Sequence, residues 1–189
     1  MTRIIAGEFR GRRIKVPESG TRPTADRVRE AIFSSLSSLD AIEDLNVLDL
    51  YSGSGALGIE AISRGAKNAL FVDSNKLACQ TITSNLKELE IEANVSEVKV
   101  ETLLKTPPAH KFNAPFHLIF LDPPYDYSMD DISTVLDLGL KNSWFSSDAI
   151  LVVETSKALK EFVWPDGFES LRDKSYGDTT VWYGQVCKK

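Results

Sequence analysis

Residues 47–58 read Val47-Leu48-Asp49-Leu50-Tyr51-Ser52-Gly53-Ser54-Gly55-Ala56-Leu57-Gly58 and are the most informative segment for the fold. Its first four residues form a short apolar run typical of a buried strand, and a helical pattern begins at Ala56. Between them, Gly53, Gly55 and Gly58 satisfy the pattern G-x-G-x-x-G, whose glycines allow a tight turn and let a ligand approach the backbone. The stretch therefore predicts a strand, a loop that binds a nucleotide-type cofactor, and a helix.

Compact apolar runs alternate with helical patterns along the rest of the chain. The pattern indicates a small hairpin over residues 4–16 and an amphipathic helix that begins near residue 23. Strands are predicted at 47–50, 69–72, 95–100, 116–121 and 149–153, and helices at 56–64, 75–90 and 131–140. Residues 168–175 and 179–186 would close the sheet as an antiparallel pair. This order predicts an α/β fold with a mostly parallel sheet and crossover helices.

Acidic residues after the predicted strands bear on which cofactor the glycine loop binds. Asp49 would repel the pyrophosphate of a dinucleotide but complement the cationic methionine end of S-adenosylmethionine. Asp73 stands 20 residues after Gly53, a spacing at which a carboxylate can accept hydrogen bonds from ribose hydroxyls, and Glu101 would bound an adenine pocket. Simpler interpretations stay open: a turn residue at Asp49, a helix cap at Asp73 and a surface carboxylate at Glu101. The predicted cofactor-binding residues are Asp49, Tyr51, Gly53, Ser54, Gly55, Gly58, Asp73, Ser74, Glu101 and Thr102.

A second motif, Asp122-Pro123-Pro124-Tyr125, directly follows the predicted strand 116–121, at the edge of a parallel sheet where ligands collect. An exocyclic amine on a base is a poor nucleophile because its lone pair is delocalised into the ring. If Asp122 and a proline-locked carbonyl accept the amine hydrogens, the lone pair can turn toward a methyl group. Tyr125 offers an aromatic face on which an extruded base can stack. The four residues are the predicted catalytic motif, although Pro-Pro can also simply end a strand.

Composition and charge exclude several classes of protein. Two cysteines, two histidines and no close cysteine pair argue against a disulfide framework or a dedicated metal site and fit a cytoplasmic protein. No apolar run approaches the about 20 residues that cross a bilayer, and the first residues do not resemble a secretory signal. The net charge is -5, yet residues 1–30 hold eight basic and four acidic side chains. A basic arm on an acidic body suits contact with phosphates, although a solvated face of no special purpose would look the same.

The combination of residues 49–58, Asp73 and residues 122–125 resembles the class I, Rossmann-like amino-methyltransferases. More narrowly, the segments RIIAGEFRGRR at 3–13, RPTADRVRE at 22–30, SRGA at 63–66 and YGDT at 176–179 resemble the bacterial 16S ribosomal RNA guanine-N(2)-methyltransferase family of RsmD type. The tetrapeptide at 122–125 is shared with adenine and cytosine methyltransferases, so the two amino-terminal segments carry the narrower resemblance. Tyr51 and Ser52 stand where Phe and Ala are expected in many relatives, and both changes are mild.

The resemblance implies a single methyltransferase domain with a seven-stranded sheet, in which residues 1–22 form an RNA-binding β-hairpin extension and residues 23–189 the catalytic core. It also implies S-adenosylmethionine as cofactor and a guanine of 16S ribosomal RNA as target, within a small-subunit assembly particle and with a monomeric enzyme. The RNA-binding residues that it implies are Arg3, Arg10, Arg12, Arg13, Lys15, Arg22, Thr24, Arg27 and Arg29. No metal is expected.

Three alternatives remain at this stage. A DNA adenine methyltransferase would use the same tetrapeptide, and a non-catalytic RNA-binding protein of this fold would use the same basic arm. A nicotinamide-dependent dehydrogenase shares the glycine pattern but leaves residues 122–125 unexplained and offers no obvious proton donor.

Overall fold

A computed structural model of the chain describes residues 1–16, 23–124 and 126–187, with side chains described except at residues 23–25. The helices are α1 (Pro23–Ser38), α2 (Ala56–Ser63), α3 (Lys76–Leu89), α4 (Val100–Leu104) and α5 (Met129–Lys141), with one 3-10 turn at His110–Phe112. The strands are β1 (Thr2–Arg3), β2 (Arg13–Ile14), β3 (Asn46–Leu50), β4 (Asn68–Asp73), β5 (Asn94–Glu97), β6 (Phe116–Leu121), β7 (Phe145–Ser156), β8 (Phe168–Tyr176) and β9 (Thr179–Val186).

Seven strands form the main sheet in the order β5-β4-β3-β6-β7-β9-β8. Strands β3 to β7 run parallel to one another, and β9 is antiparallel to both β7 and β8. Strand β3 pairs with β4 on one side and with β6 on the other, so the strand order reverses there. Open α/β sheets bind their ligands at the carboxyl ends of the strands beside such a reversal. The predicted Rossmann-like fold is confirmed.

Both faces of the sheet are covered by helices, which explains why the central strands are apolar almost throughout. On one face Val47 and Phe120 pack with Phe33 of α1 and with residues of α2 and α3. On the other face Leu48 and Ile119 pack with residues of α4 and α5. Residues that alternate along β3 thus belong to different cores, and the strand is fixed between two helical layers.

The amino-terminal hairpin is fastened to α2. The carboxylate of Glu60, which is buried, accepts hydrogen bonds from the backbone N–H groups of Ile5 (2.8 Å) and Ala6 (3.0 Å). A Cβ atom on Gly7 would lie 1.6 Å from the backbone oxygen of Ser63, so only glycine fits there. The β1–β2 ladder therefore needs only two residue pairs, shorter than the pattern over 4–16 predicts, because α2 holds the hairpin loop.

The region after β4 differs from the sequence prediction. Residues 95–100 were predicted as a strand, but β5 ends at Glu97 and the chain turns into α4. Strand β5 lies at the edge of the sheet and pairs only with β4, so little holds a longer strand in place. Glu101 lies in the first turn of α4, where a negative side chain favours a helix. The other predicted elements occur, and β7 is longer than predicted because it pairs along both edges.

Among the described residues, none of the helices combines the length and the apolar character that crossing a bilayer requires.

Candidate active site

The glycine loop joins β3 to α2 at the reversal of strand order. Gly55 precedes α2 in a left-handed conformation (φ 76°) and has no side chain that could cap the helix. A Cβ atom on Gly58 would lie 2.3 Å from the ring of Phe71 on β4, so this glycine allows α2 to pack directly on the sheet. The loop is thus turned and packed as a nucleotide-binding loop requires.

Asp49 supplies the cap that Gly55 lacks. Its Oδ2 atom accepts a hydrogen bond of 2.9 Å from the backbone N–H of Gly58, in the first turn of α2. The side chain is buried, and this burial raises the pKa of Asp49 well above its ordinary value. The Gly58 hydrogen bond lowers the pKa, whereas the charges of Asp122 and Asp73 raise it further. The local structural role left open by the sequence is therefore present. A cation bound beside Asp49 would stabilise its ionised form.

Asp73 braces the same loop from the end of β4. One carboxylate oxygen accepts from the backbone N–H of Gly53 (2.8 Å) and the other from the N–H of Asn75 (2.8 Å). The cap of α3 is Asn75, whose side chain accepts from the N–H groups of Leu77 and Ala78. The alternative that Asp73 caps the helix after β4 is therefore wrong, and its carboxylate instead fixes the glycine loop beside α3.

A cavity of about 450 Å³ opens next to this loop. Two tyrosine hydroxyls, from Tyr51 and Tyr127, each donate a 2.8 Å hydrogen bond to the same oxygen of Glu101, and their rings meet edge to face at 5.3 Å. The cavity is lined by Tyr51, Ser74, Lys99, Val100, Glu101, Asp126, Tyr127, Asp131 and Thr134. An aromatic wall beside a carboxylate acceptor suits an adenosine. Thr102, in contrast, is exposed on α4 and is not among the described residues that line the cavity.

The ionisation of this cluster is set by its hydrogen bonds. Partial burial alone would raise the pKa of Glu101, but hydrogen bonds from its own backbone, from Tyr127 and from Tyr51 hold the pKa below its ordinary value. Burial, and then hydrogen bonding, raises the pKa of Tyr51, and burial followed by the Glu101 hydrogen bond raises that of Tyr127. At neutral pH Glu101 is therefore an anion held by two neutral hydroxyl groups.

Asp122 follows β6 immediately, one strand away from the glycine loop. Its side chain is exposed, Pro123 is buried, and the carbonyl of Pro124 accepts a 3.0 Å hydrogen bond from the N–H of Tyr127. This bond holds Tyr127, which lines the cavity, next to the motif. The remaining residue of the predicted motif, Tyr125, lies outside the described residues.

Three carboxyl groups lie near one another at the carboxyl edge of the sheet. Asp49 is paired with Phe120, and Phe120 with Val152. Because side chains two residues apart in a strand point to the same face, Glu154 lies on the face of Asp49, one pleat further toward the carboxyl edge. Asp122 follows the last residue of β6, and its charge acts on both Asp49 and Glu154. Partial burial, and then the charges of Asp122 and Asp49, raises the pKa of Glu154 well above its ordinary value.

The predicted RNA-binding residues fall into three groups. Exposed side chains on the hairpin and on the first turns of α1 form the first, which we call the basic arm and which comprises Arg3, Arg10, Arg12, Arg13, Lys15 and Arg27. Arg22 and the side chain of Thr24 lie outside the described residues. Arg29 forms the third group, and its predicted contact with RNA is corrected by the structure.

Arg29 is buried rather than exposed to a nucleic acid. Its guanidinium donates to the hydroxyl of Thr2 (3.0 Å) and the carbonyl of Arg3 (2.7 Å), and it pairs with Asp26 at 3.2 Å and with Glu60 at 3.9 Å. The prediction that Arg29 contacts RNA is therefore wrong, because its guanidinium is occupied by these partners and connects β1 with α1 and α2.

One buried amide connects the basic arm with the glycine loop. Asn85 of α3 accepts from the N–H of Lys15 (2.8 Å) and donates to the carbonyls of Lys15 (2.9 Å) and Ser54 (3.2 Å). Its side chain is fully buried. The end of the arm is thus set at a fixed position relative to the loop.

Sequence reasoning missed two residues of this site. Tyr127 lies two positions after Tyr125, and its aromatic side chain next to an acidic stretch was the only available signal. Glu154 directly follows the apolar run 149–153, so the sign was a carboxylate at the end of a predicted strand.

Comparisons with known proteins agree with this geometry. A family model described as "Conserved hypothetical protein 95" matches residues 2–185. The chain is 35% identical to the ribosomal RNA small subunit methyltransferase D of Haemophilus influenzae. The alignment spans 176 residues and covers 93% of this chain and 89% of that relative. The putative methyltransferase yhhF from Escherichia coli has a similar structure, with a TM-score of 0.85 and 29% identity, covering 99% of this chain and 98% of that chain.

A more distant structure shares the fold alone. Magnesium protoporphyrin IX methyltransferase from Synechocystis PCC 6803, whose structure contains bound SAM, has a TM-score of 0.67 at 10% identity, covering 89% of this chain and 86% of that chain. The resemblance inferred from segments 3–13 and 22–30 is confirmed, and the chain belongs to the ribosomal RNA small subunit methyltransferase D family.

Proposed function

We propose that this protein transfers a methyl group from S-adenosylmethionine to the exocyclic N2 amine of a guanine in 16S ribosomal RNA. The observation that carries the proposal is the position of Asp122, which follows β6 beside the reversal of strand order and one strand from the glycine loop. This position supports the proposal, since a substrate amine beside a cofactor bound at that loop would be within reach of a carboxylate acceptor.

The residues present fit S-adenosylmethionine. The cavity of about 450 Å³ with Tyr51 and Glu101 in its wall would take the adenosine. Ser74, which follows Asp73, also lines it, and Asp73 accepts from the N–H of Gly53 in the glycine loop. Asp49 faces the same edge and would complement the positive methionine end. When bound, the cofactor supplies an electrophilic methyl carbon attached to a sulfonium.

The chain's own groups prepare the amine. The carboxylate of Asp122 accepts one amine hydrogen, and the carbonyl of Pro123 is the candidate acceptor for the other. Two acceptors draw the lone pair out of conjugation with the ring and direct it toward the methyl carbon. The nitrogen–carbon bond would form as the carbon–sulfur bond of the cofactor breaks, and the proton lost by the methylated nitrogen would pass to the Asp122 carboxylate that already accepts its hydrogen. That proton is strongly acidic only after the attack, so no strong base is required.

The basic arm supplies contact with RNA. Its six exposed side chains, Arg3, Arg10, Arg12, Arg13, Lys15 and Arg27, lie on a chain that is otherwise acidic, so phosphates would be attracted to one side of the molecule. Few other side chains are suited to reading bases, and we therefore place the substrate within an assembling small-subunit particle in the cytoplasm, where RNA shape and bound proteins assist a monomeric enzyme.

The test is mass mapping of 16S ribosomal RNA. Small-subunit particles from cells that lack this protein are incubated with S-adenosylmethionine and the purified chain, and the RNA is digested and sequenced by mass. The proposal predicts one new methyl group, on N2 of a guanosine. Methylation of an adenine in DNA, or binding of RNA without any turnover, would overturn it and favour one of the two alternatives above. The same assay on free 16S ribosomal RNA tests whether the substrate is an assembled particle. Equal methylation rates on free RNA and on particles would count against an assembled substrate.

A further inference from the structure

Glu154 occupies the position next to Asp122 on the substrate side of the sheet. Leu121, the last residue of β6, pairs with Val153 of β7, so Asp122 and Glu154 each come directly after this pair. The charge of Asp122 raises the pKa of Glu154, as expected of two carboxyl groups that lie close together. Adjacent strands are about 4.8 Å apart. A group held at Asp122 therefore has Glu154 as its neighbour on the side away from the glycine loop.

The surroundings of Glu154 do not call for a carboxyl group. Two residues earlier on the same face is Val152, which is buried in the core, and Val181 lies opposite Glu154 on β9 and is also buried. A β-branched apolar residue would pack between these neighbours, whereas a partly buried carboxyl group costs free energy unless it has polar partners. The charges of Asp122 and Asp49 do not offset this cost, since both raise the pKa of Glu154 further.

The three bases with an exocyclic amine differ at the ring nitrogen beside it. In guanine the neighbouring N1 carries a hydrogen and is a donor, and O6 follows as an acceptor. In adenine and cytosine the corresponding ring nitrogen is an acceptor. An acceptor placed beside the amine-binding group thus favours guanine.

We propose that Glu154 reads the target base: a carboxyl oxygen of Glu154 accepts the N1–H of the guanine whose N2 amine is held by Asp122, which makes Glu154 a specificity-determining residue. This role rests on the proposed function, since it assumes an amine at Asp122. It assigns the preference for guanine to β7 and leaves activation of the amine to the residues after β6.

The ionisation of Glu154 is compatible with this role. Its pKa is raised, so the group keeps its proton at higher pH than an ordinary glutamate. A protonated carboxyl group offers one acceptor and one donor side by side. These match N1–H and O6 of guanine, and the amide of a glutamine would offer the same pair.

The test compares two substrates that both present an N2 amine. Particles are assembled with small-subunit RNA that is ligated so that the mapped target is either guanosine or 2-aminopurine riboside, which lacks N1–H and O6. For Glu154→Ala we expect kcat/KM on guanosine to fall about 10- to 100-fold and on 2-aminopurine much less, because one base-reading pair is lost. The preference for guanosine should then shrink by at least about tenfold.

Two further variants make the outcome decisive. Glu154→Gln should keep the preference and most of the activity. Glu169→Ala, an exposed position on the edge strand β8 that is level with Ile150 rather than with Glu154, should behave as wild type. Thermal melting and calorimetric titration with S-adenosylmethionine establish that each variant is folded. An unchanged preference in Glu154→Ala, or a folded Glu154→Gln that is as impaired as Glu154→Ala, would overturn the role. Wild-type protein that methylates no guanosine would instead overturn the proposed function.

Discussion

The two halves of the carboxyl edge of the sheet hold their carboxylates in different ways. On the side of β3 and β4, Asp49 and Asp73 accept three backbone hydrogen bonds of 2.8–2.9 Å that fix the glycine loop and the helices after it. On the side of β6 and β7, Asp122 is exposed and Glu154 is partly buried beside it. We call these the cofactor half and the substrate half. The first is arranged by the fold before any ligand binds, and the second is the half to which we assign the substrate.

This difference separates stability and cofactor affinity from turnover. A substitution in the cofactor half removes hydrogen bonds on which the loop depends, and it should affect folding and binding together. A substitution in the substrate half should leave both nearly unchanged and affect the rate of methyl transfer.

The largest effect is expected for Asp122→Ala in the substrate half. Loss of the acceptor for the amine hydrogen should lower kcat about 100- to 1,000-fold, the range seen when one stabilising polar group is removed from an active site. The dissociation constant for S-adenosylmethionine should stay within about threefold, since less than 1 kcal/mol of binding is involved. Single-turnover methylation and calorimetry measure the two quantities.

The matched control is Asp137→Ala, an exposed aspartate on α5 away from the cofactor cavity. It should leave both quantities unchanged. If Asp122→Ala weakened S-adenosylmethionine binding by as large a factor as it lowers kcat, the two halves would not have separate roles.

A smaller effect, on stability rather than on turnover, is expected for Asp49→Ala in the cofactor half. The N–H of Gly58 would lose its partner in the interior, which costs about 1–3 kcal/mol of the free energy of unfolding. Asp49→Asn keeps an acceptor oxygen and should recover most of this loss. Urea denaturation of the two variants gives the comparison, and equal stability of both would show that the bond to Gly58 does not hold α2.

A still smaller effect is expected for Tyr127→Phe. It removes one of two hydrogen bonds to Glu101 and should weaken S-adenosylmethionine binding by about 0.5–1.5 kcal/mol, or roughly 2- to 13-fold. The turnover number at saturating cofactor should change little. A fall in turnover without a change in affinity would move Tyr127 into the substrate half.

The smallest effect is expected on how the free energy of unfolding depends on pH in the acid range. The folded-state pKa of Glu101 lies below its ordinary value of 4.5, so its contribution is present above that pH and is lost as the pH falls through the lower folded value. Tyr127→Phe raises the folded pKa, so the variant should lose part of this contribution and the difference between the two proteins should vanish at strongly acid pH. Urea midpoints between pH 3 and pH 7 test this, and a difference that grew toward acid pH would contradict the sign.

The sequence was most informative where the pattern is local. The strand, loop and helix at 47–58 and the motif at 122–125 each follow from neighbouring residues, and both lie at the predicted edge of the sheet. The end of β5 was not predictable, because it depends on pairing at an edge strand. The strand order that brings Glu154 beside Asp122 likewise depends on contacts between distant segments.

Arg29 shows why the charge pattern alone misleads. Its partner Glu60 lies 31 residues away, and nothing near Arg29 in the sequence distinguishes it from the exposed Arg27. Burial of an arginine is decided by which carboxylates the fold brings to it, so one member of the predicted RNA-binding set became a structural residue. The exposed members remain predictions.

The decisive experiment is a crystal structure of the protein with S-adenosylhomocysteine and an RNA fragment that contains the mapped guanosine. We expect the N2 atom within about 3 Å of a carboxylate oxygen of Asp122, with the ring between β6 and the cofactor sulfur. A guanine amine that contacts neither Asp122 nor the backbone of the prolines after it would show that these residues do not hold the reacting group.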